Sequence, residues 1–190
     1  FMLIGGWLVD KWGPRVTHTI AAIAWSLFTA MGAVTHSFFP FLSSRILLGA
    51  GEAPIFPGNA HVVRDWFPLH ERGKATAVFD VGSYVGAAFA APLVIWMILS
   101  FGWRSSFIAF CGIGILWAIV WYWYYREPED HKDVSKNELA YIQSTNTITQ
   151  KPQKVTLKSI LPLLKYRQIW GMSLGFFCYN YLKNFFLTYE

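Results

Sequence analysis

The chain has 190 residues, of which 54% are hydrophobic, 18% are aromatic and only 14% are charged, and its formal net charge is +5. Soluble domains usually carry about 25% charged residues, so this composition argues against a soluble globular domain. The positive charge does not indicate nucleic-acid binding, because the basic residues lie between apolar segments and form no patch on a soluble face. The two cysteines, Cys111 and Cys178, lack the spacing of metal ligands, and we expect no metal and no cofactor.

Three long stretches nearly free of charge predict membrane-spanning helices. Residues 16–42 and 105–125 contain no Asp, Glu, Lys or Arg, and residues 75–101 contain only Asp80. Each stretch is longer than the roughly 20 residues that a helix needs to cross a hydrocarbon core of about 30 Å. The sequence therefore predicts an all-α membrane protein.

The predicted elements begin with the end of a span at 1–8 and a loop at 9–15. Further spans follow at 16–34, 38–63, 75–99 and 104–125, then a polar segment at 126–167 and a last span that opens near Gln168. Because the chain starts and stops inside apolar stretches, we expect it to be an internal piece of a longer protein.

The distribution of Lys and Arg predicts the orientation of these spans. The loops 9–15, 64–74 and 126–167 lie on one side of the membrane, and the positive-inside rule places that side in the cytoplasm. The loops on the opposite side contain only Arg104. The three cytoplasmic loops hold 13 of the 16 basic residues: Lys11, Arg15, Arg64, Arg72, Lys74, Arg126, Lys132, Lys136, Lys151, Lys154, Lys158, Lys165 and Arg167.

The polar segment contains two predicted short helices. Ser135 and Glu138 have the spacing of a capping box, in which a serine caps the helix and a glutamate stands at its third position. We expect a helix from Asn137 to about Ser144, and a second helix on the membrane surface at 157–161.

Four ionisable residues fall inside the predicted spans: Arg45, Glu52, Asp80 and Lys183. A charged side chain at the bilayer centre costs about 2.5–3.5 kcal/mol on the translocon scale, so each is a candidate functional residue. Asp80 either pairs with basic groups near the cytoplasmic end or lines a pore. For Lys183, anion binding and extension toward a polar cavity both remain open.

Arg45 and Glu52 form the most informative pair. Seven residues separate them, which is nearly two helical turns, so both face the same way about 10 Å apart along the axis. Arginine suits a carboxylate, and a buried glutamate can take up and release a proton. The pair therefore predicts an anion site next to a proton site, with a structural pair satisfied by other helices as the alternative. Pro54 and Pro57 follow closely and predict a bend in the helix beside Glu52.

Three segments of the sequence resemble a known family. Residues 6–15, Gly-Trp-Leu-Val-Asp-Lys-Trp-Gly-Pro-Arg, resemble the G-x-L-x-D-[RK]-x-G-x-[RK] loop of the major facilitator superfamily, and residues 64–74 look like the superfamily's loop after its fourth helix. Residues 45–59 are similar to the fourth helix of the anion:cation symporter family. That family includes bacterial galactonate, glucarate and hexuronate permeases, phthalate permeases, and animal vesicular glutamate and sialic acid carriers.

The resemblance implies the major facilitator fold, covering the end of helix 2 to the start of helix 7. Residues 1–125 would form most of the N-terminal transmembrane half, residues 126–167 a cytoplasmic linker, and residues 168–190 the start of helix 7. We expect a multi-pass protein of a bacterial inner or plasma membrane that works as a monomer in the lipid bilayer.

The resemblance implies that Arg45 and Glu52 coordinate the anion and couple the proton, and that Asp10 and Arg15 belong to the cytoplasmic gate. The position of other polar residues in the spans adds Ser83, Tyr84 and Asn180 as substrate-binding candidates and Asp80 as a proton-coupling candidate. Gating candidates are Gly6, Asp10, Arg15, Arg64, Glu71 and Arg72, with the helix kink at Pro54 and Pro57.

The predicted function is proton-coupled symport of a small organic anion, most specifically a sugar acid. The alternatives are transport of another organic anion, such as a phthalate-like carboxylate, by sodium coupling or exchange, or a channel. A membrane enzyme is a further alternative, but the five histidines (His18, His36, His61, His70 and His131) are scattered along the sequence without a catalytic spacing.

Overall fold

The computed structural model of the chain describes residues 2–144 and 165–189. Within these two ranges the regular structure is helical, and the ranges contain no β-strand. The predicted surface helix at 157–161 lies outside the described residues. The helices are α1 (Met2–Val34), α2 (Phe38–Glu52), α3 (Ile55–Trp66), α4 (Arg72–Phe101), α5 (Trp103–Tyr124), α6 (Lys136–Gln143) and α7 (Arg167–Tyr189).

The chain divides into two compact units, Phe1–Thr149 and Gln150–Glu190. The first unit contains α1 to α6, and α1 packs against α2, α3 and α5 at its centre. The second unit contains α7. Three helices of the described residues are long and apolar enough to cross a membrane: Met2–Val34, Arg72–Phe101 and Trp103–Tyr124.

Helix α1 consists of two segments that fold back on each other at Gly13. Gly13 has φ 75° and ψ 163°, a backbone conformation that glycine adopts without the steric cost of a Cβ. Pro14 then opens the next segment, where its missing N–H is not needed. The Thr17 hydroxyl donates to the Leu8 carbonyl oxygen at 3.3 Å, which holds the two segments side by side. The prediction of a loop at 9–15 was therefore too long, because a single residue makes the turn.

The predicted span at 38–63 is interrupted in its middle. Helix α2 ends at Glu52 and α3 begins at Ile55, with Ala53 and Pro54 between them. The Gly58 amide still donates to the Pro54 carbonyl oxygen at 3.0 Å, so the backbone hydrogen bonds resume directly after the break. Both halves pack against α1, and the break leaves Glu52 at a helix end.

Small residues allow the helices around α1 to approach closely. Ala21, Ala22, Ala33 and Ala118 are all buried. The bare Cα of Gly58 in α3 lies against the ring of His18 in α1. Close contact between small residues is the usual basis of helix packing in membranes, where the lipid offers no hydrophobic driving force.

A row of stacked aromatic rings joins α1 to α5. Ring centroids are 6.1 Å apart for Trp25 and Trp117, 5.3 Å for Trp117 and Trp121, and 4.5 Å for Trp121 and Tyr125. His18 stacks on Trp121 at 5.0 Å. Spacings of four residues along α5 place these rings on one face of that helix.

The aromatic residues at 121–125 are divided between the protein interior and the exposed surface. Tyr125 is buried and stacks on Trp121, whereas Trp123 and Tyr124 are each 78% exposed. The exposed members suit the membrane–water interface, where tryptophan and tyrosine are enriched. Helix α4 has no buried residue, so its apolar surface requires lipid or another helix around it.

The predicted serine cap is confirmed in α6. The Ser135 hydroxyl accepts a hydrogen bond from the Glu138 amide at 3.2 Å, and α6 begins at the next residue, Lys136. The helix then directs Ile142 into a buried position.

Replacing Ser135 with alanine is expected to destabilise α6 by about 1 kcal/mol, because one amide of the first turn loses its acceptor. Hydrogen exchange of the α6 amides should become about fivefold faster. Asn137 is exposed and lies in the same first turn, two residues after Ser135. Asn137→Ala is therefore the matched control and should leave the exchange rate unchanged or slower. Equal exchange rates in Ser135→Ala and the parent protein would contradict a stabilising cap.

Candidate functional site

Arg45 is held between two aromatic rings. Its guanidinium carbon lies 4.8 Å from the ring centroid of Phe41 in α2 and 5.1 Å from that of Phe107 in α5. Its Nη2 contacts the bare Cα of Gly32 near the end of α1. Aromatic faces attract a cation without occupying its N–H groups. The contacts therefore position the guanidinium while leaving its hydrogen-bonding capacity unused.

The Arg45 Nε and Nη2 atoms are buried and make no hydrogen bond in the part of the chain that the structure describes. A buried cation without a partner is costly, so a counter-charge is expected nearby. A carboxylate is the natural one, because it can accept two parallel hydrogen bonds from the guanidinium.

Glu52 supplies the neighbouring negative charge. It is the last residue of α2, and its carboxylate interacts electrostatically with Arg45. The ion pairs among the described residues do not include one between these two side chains. The two side chains thus attract each other electrostatically without forming an ion pair, which agrees with their spacing of seven residues.

The predicted substrate residues of α4 form a separate group. Asp80, Ser83 and Tyr84 are all exposed, and the Ser83 hydroxyl donates to the Phe79 carbonyl oxygen at 3.4 Å. Helix α4 packs against α5 and α3. Asn180 is in α7, in the second unit, and its side chain and that of Lys183 lie outside the described residues.

Asp10 and Arg64, both predicted gating residues, are joined through His61. The His61 Nε2 lies 2.8 Å from the Asp10 carboxylate oxygen. The Arg64 Nη2 lies 3.0 Å from the His61 Nδ1, and the Arg64 Nε donates to Asp65 at 2.9 Å. This cluster connects the end of the first segment of α1 to the last turns of α3.

Arg15 does not contact Asp10 but connects α1 to α5. Its Nε and Nη2 donate to the Tyr122 carbonyl oxygen at 3.0 and 2.9 Å, and its guanidinium carbon lies 4.3 Å from the Tyr122 ring centroid. Arg126 donates to the same carbonyl oxygen at 3.0 Å. Carbonyl groups at a helix end carry partial negative charge and favour cations there.

The other gating candidates surround the connection between α3 and α4. Arg72 donates to the carbonyl oxygens of Phe67 and Arg64 at 3.1 and 3.0 Å. Glu71 accepts a hydrogen bond of 2.9 Å from the Tyr141 hydroxyl of α6, which raises the pKa of that hydroxyl. Gly6 lies elsewhere, near the start of α3, where a Cβ placed on it would be 3.7 Å from the Pro57 Cβ.

Two polar pairs were missed at the level of sequence. His18 is fully buried and its Nε2 lies 2.9 Å from the Asn59 side-chain oxygen. His61 bridges Asp10 and Arg64 as described. The spacing of three between His61 and Arg64 is a local signal that helix geometry explains. The pairings of His18 with Asn59 and of Asp10 with His61 depend on how the helices pack, and no local pattern indicates them.

The first unit therefore has the properties of a multi-pass helical membrane protein, with a cation and a carboxylate placed in one kinked helix. Residues 1–189 match the sequence profile of the Major Facilitator Superfamily. The chain belongs to the major facilitator superfamily, and the predicted family and all-α membrane fold are confirmed.

Similarity to curated proteins points to one group within the superfamily. The chain is 35% identical over 192 residues to the D-galactonate transporter of Escherichia coli O6:H1, covering 97% of this chain and 45% of the relative. It is 34% identical over 200 residues to a probable galactarate/D-glucarate transporter of Escherichia coli K12, and the match covers 97% of this chain and 44% of the relative. It is 32% identical over 171 residues to the galacturonate transporter of Dickeya chrysanthemi, and the match covers 90% of this chain and 50% of the relative.

The chain spans about half the length of the curated relatives it matches. These relatives are named as transporters of sugar acids, which agrees with the predicted class and not with the enzyme alternative. The chain is accordingly part of an integral, multi-pass membrane protein of a transporter family.

Proposed function

We propose that the full-length protein is a proton-coupled symporter of a small organic anion, a sugar acid of the galactonate, glucarate or hexuronate class. The observation that carries the proposal is the Arg45 guanidinium, whose buried Nε and Nη2 have no hydrogen-bond partner in the described residues. The names of the similar transporters supply the sugar-acid class.

Arg45 is suited to bind the carboxylate group of such an anion. Its position between Phe41 and Phe107 leaves the planar fork of N–H groups without a hydrogen-bond partner among the described residues. A sugar acid also carries hydroxyl groups, and the exposed side chains of Asp80 and Ser83 on α4 offer groups that can pair with them.

Glu52 is suited to carry the proton. Its charge attracts Arg45 and repels an anionic substrate, so its protonation favours binding of the anion. Occupancy by anion and proton together then shifts the equilibrium between outward-open and inward-open states, since ligands shift such states only through differential affinity. Asp80 is a second candidate for proton coupling.

The proposal includes the arrangement of the whole protein. Residues 1–125 form most of the N-terminal transmembrane half, residues 126–167 a cytoplasmic linker, and residues 168–190 the start of helix 7. The protein is a monomer in a bacterial inner or plasma membrane. Gly6, Asp10, Arg15, Arg64, Glu71 and Arg72 form the cytoplasmic gate.

Uptake by the full-length protein in proteoliposomes tests the substrate site, with galactonate, glucarate and galacturonate offered at two pH values. Arg45→Ala is expected to lower uptake of the transported sugar acid about a hundredfold, because removing one partner of a buried charge pair costs about 2–5 kcal/mol. Arg45→Lys keeps the charge but loses the fork, and its uptake should lie between that of Arg45→Ala and the parent protein.

Lys132→Ala removes a cation from the segment after α5 and serves as the control, with uptake unchanged. Normal uptake by Arg45→Ala would remove Arg45 from the substrate site. Uptake of phthalate or dependence on sodium in place of a pH gradient would support the alternative organic-anion carrier instead.

A further inference from the structure

The Arg45 guanidinium occupies a slot that is built by residues of three helices. Phe41, one turn earlier in α2, and Phe107 of α5 place their ring centroids 4.8 and 5.1 Å from the guanidinium carbon. Gly32, near the end of α1, is buried and lies directly against the Nη2 atom. We call Gly32, Phe41 and Phe107 together the guanidinium slot.

Gly32 gives the guanidinium slot its depth because it has no side chain. A Cβ on Gly32 would overlap the Arg45 Nη2 and would lie 3.1 Å from the Phe107 Cε1, whereas carbon atoms in favourable contact are about 3.5–4.0 Å apart. The Nη2 atom is the end of a flexible side chain, so the guanidinium would turn away and the helices could stay in place. An alanine at this position would therefore displace Arg45 while preserving the fold.

The Phe107 wall of the slot is fixed where α5 begins. The Phe107 ring meets the Trp103 ring edge-on, with the ring centroids 5.8 Å apart. In the same turn, the Arg104 Nε donates to the carbonyl oxygen of Ala33, the residue after Gly32, at 2.9 Å. This hydrogen bond ties the start of α5 to the end of α1, so the Gly32 and Phe107 walls keep their separation.

The guanidinium slot holds the cation without using its hydrogen-bond donors. An aromatic face attracts a cation through the ring quadrupole, and the bare Cα of Gly32 offers no acceptor. The Arg45 Nε and Nη2 accordingly have no hydrogen-bond partner among the described residues. Ordering a long side chain during binding weakens affinity, so a guanidinium that is ordered beforehand binds a carboxylate more tightly.

We propose that Gly32 and Phe107 are positioning residues of the substrate site, which order the Arg45 guanidinium for a carboxylate before the anion arrives. Each acts on the anion only through Arg45. Their role in anion binding rests on the proposed function, whereas the energetic coupling of both residues to Arg45 does not.

Thermal unfolding of the purified full-length protein without substrate tests the coupling to Arg45. The apparent Tm is compared for Gly32→Ala and Phe107→Leu, each alone and combined with Arg45→Ala, as a double-mutant cycle. Gly32→Ala should lower the Tm less in the Arg45→Ala background, where its Cβ meets no guanidinium. Phe107→Leu should also lower it less there, because the ring has no cation to attract. Equal Tm changes in the two backgrounds would overturn the coupling.

Uptake kinetics in proteoliposomes test the positioning role. Gly32→Ala is expected to raise the KM for the transported sugar acid about ten- to a hundredfold, the order of effect of misplacing a group by about 1 Å, with little change in the maximal rate. Phe107→Leu should also raise the KM, and Phe107→Tyr, which keeps the aromatic face, should restore it toward the parent value. Neither Gly32→Ala nor Phe107→Leu should lower the residual uptake of Arg45→Ala further.

Gly112→Ala provides the matched control, because a Cβ on this glycine of α5 would have no described atom within 4 Å. This variant should leave the KM unchanged and the Tm unchanged or higher. An unchanged or lower KM in Gly32→Ala, beside lost uptake in Arg45→Ala, would overturn the positioning role and leave the proposed function standing. Normal uptake by Arg45→Ala would contradict the proposed function and with it the role in anion binding, while the Tm cycle would still decide whether the slot holds Arg45.

Discussion

Replacing Glu52 with glutamine is expected to abolish proton-driven accumulation of the substrate in the full-length protein while leaving counterflow exchange. Glutamine has the shape of the protonated glutamate but cannot take up or release a proton. A gradient of one pH unit is worth about 1.4 kcal/mol per proton, which supports about tenfold accumulation. That accumulation should vanish, because the substrate then crosses without a proton.

Proteoliposomes with an imposed pH gradient provide the measurement, and exchange of labelled for unlabelled substrate provides the second readout. Asp130→Asn is the matched control, because it also neutralises a carboxylate but lies in the segment after α5 and is exposed. Normal accumulation by Glu52→Gln would exclude Glu52 as the proton carrier. Loss of both accumulation and exchange would indicate that the glutamate is needed for substrate binding.

The second large effect is expected from Gly5→Ala. A Cβ at Gly5 would lie 2.7 Å from the Ala53 carbonyl oxygen and 2.8 Å from the Pro54 Cα. These are backbone atoms of the break between α2 and α3, so they cannot rotate away as a side chain can. Helix α1 must shift away from the break, which costs about 1–3 kcal/mol by analogy with overpacked cores.

We expect Gly5→Ala to lower the apparent Tm of the purified full-length protein by several degrees and to reduce transport, since Glu52 adjoins the displaced residues. Gly6→Ala is the matched control for stability, because a Cβ there meets only Pro57 Cβ at an ordinary distance of 3.7 Å. Equal Tm values for the two variants would show that the close approach at Gly5 is not required.

Features set by neighbouring residues were predictable from the sequence. The absence of charge over more than twenty residues indicates the long apolar helices, and the Ser135 cap depends on a residue only three positions away. The motif at 6–15 and the pattern at 45–59 led to the family, which the match over residues 1–189 confirms. The placement of Arg45 and Glu52 in one helix also followed from their spacing alone.

Features that depend on packing between helices were not predictable. Asp10 and His61 are 51 residues apart in the sequence, and only the packing of α1 against α3 brings them to 2.8 Å. The prediction grouped Arg15 with Asp10 because they are neighbours in one motif, but Arg15 instead donates to Tyr122 of α5. Gly5 and Gly6 are adjacent, and only the direction of their missing Cβ atoms distinguishes them.

The turn at Gly13 has a consequence for how this part of the chain enters the bilayer during synthesis. The two segments of α1 meet through one residue, so the connection has no slack that would let them integrate separately. We expect the segments to be released from the translocon together, as a preformed helical hairpin. Lengthening the turn with flexible residues would uncouple their integration, and glycosylation acceptor sites placed in the chain would report the resulting mixture of topologies.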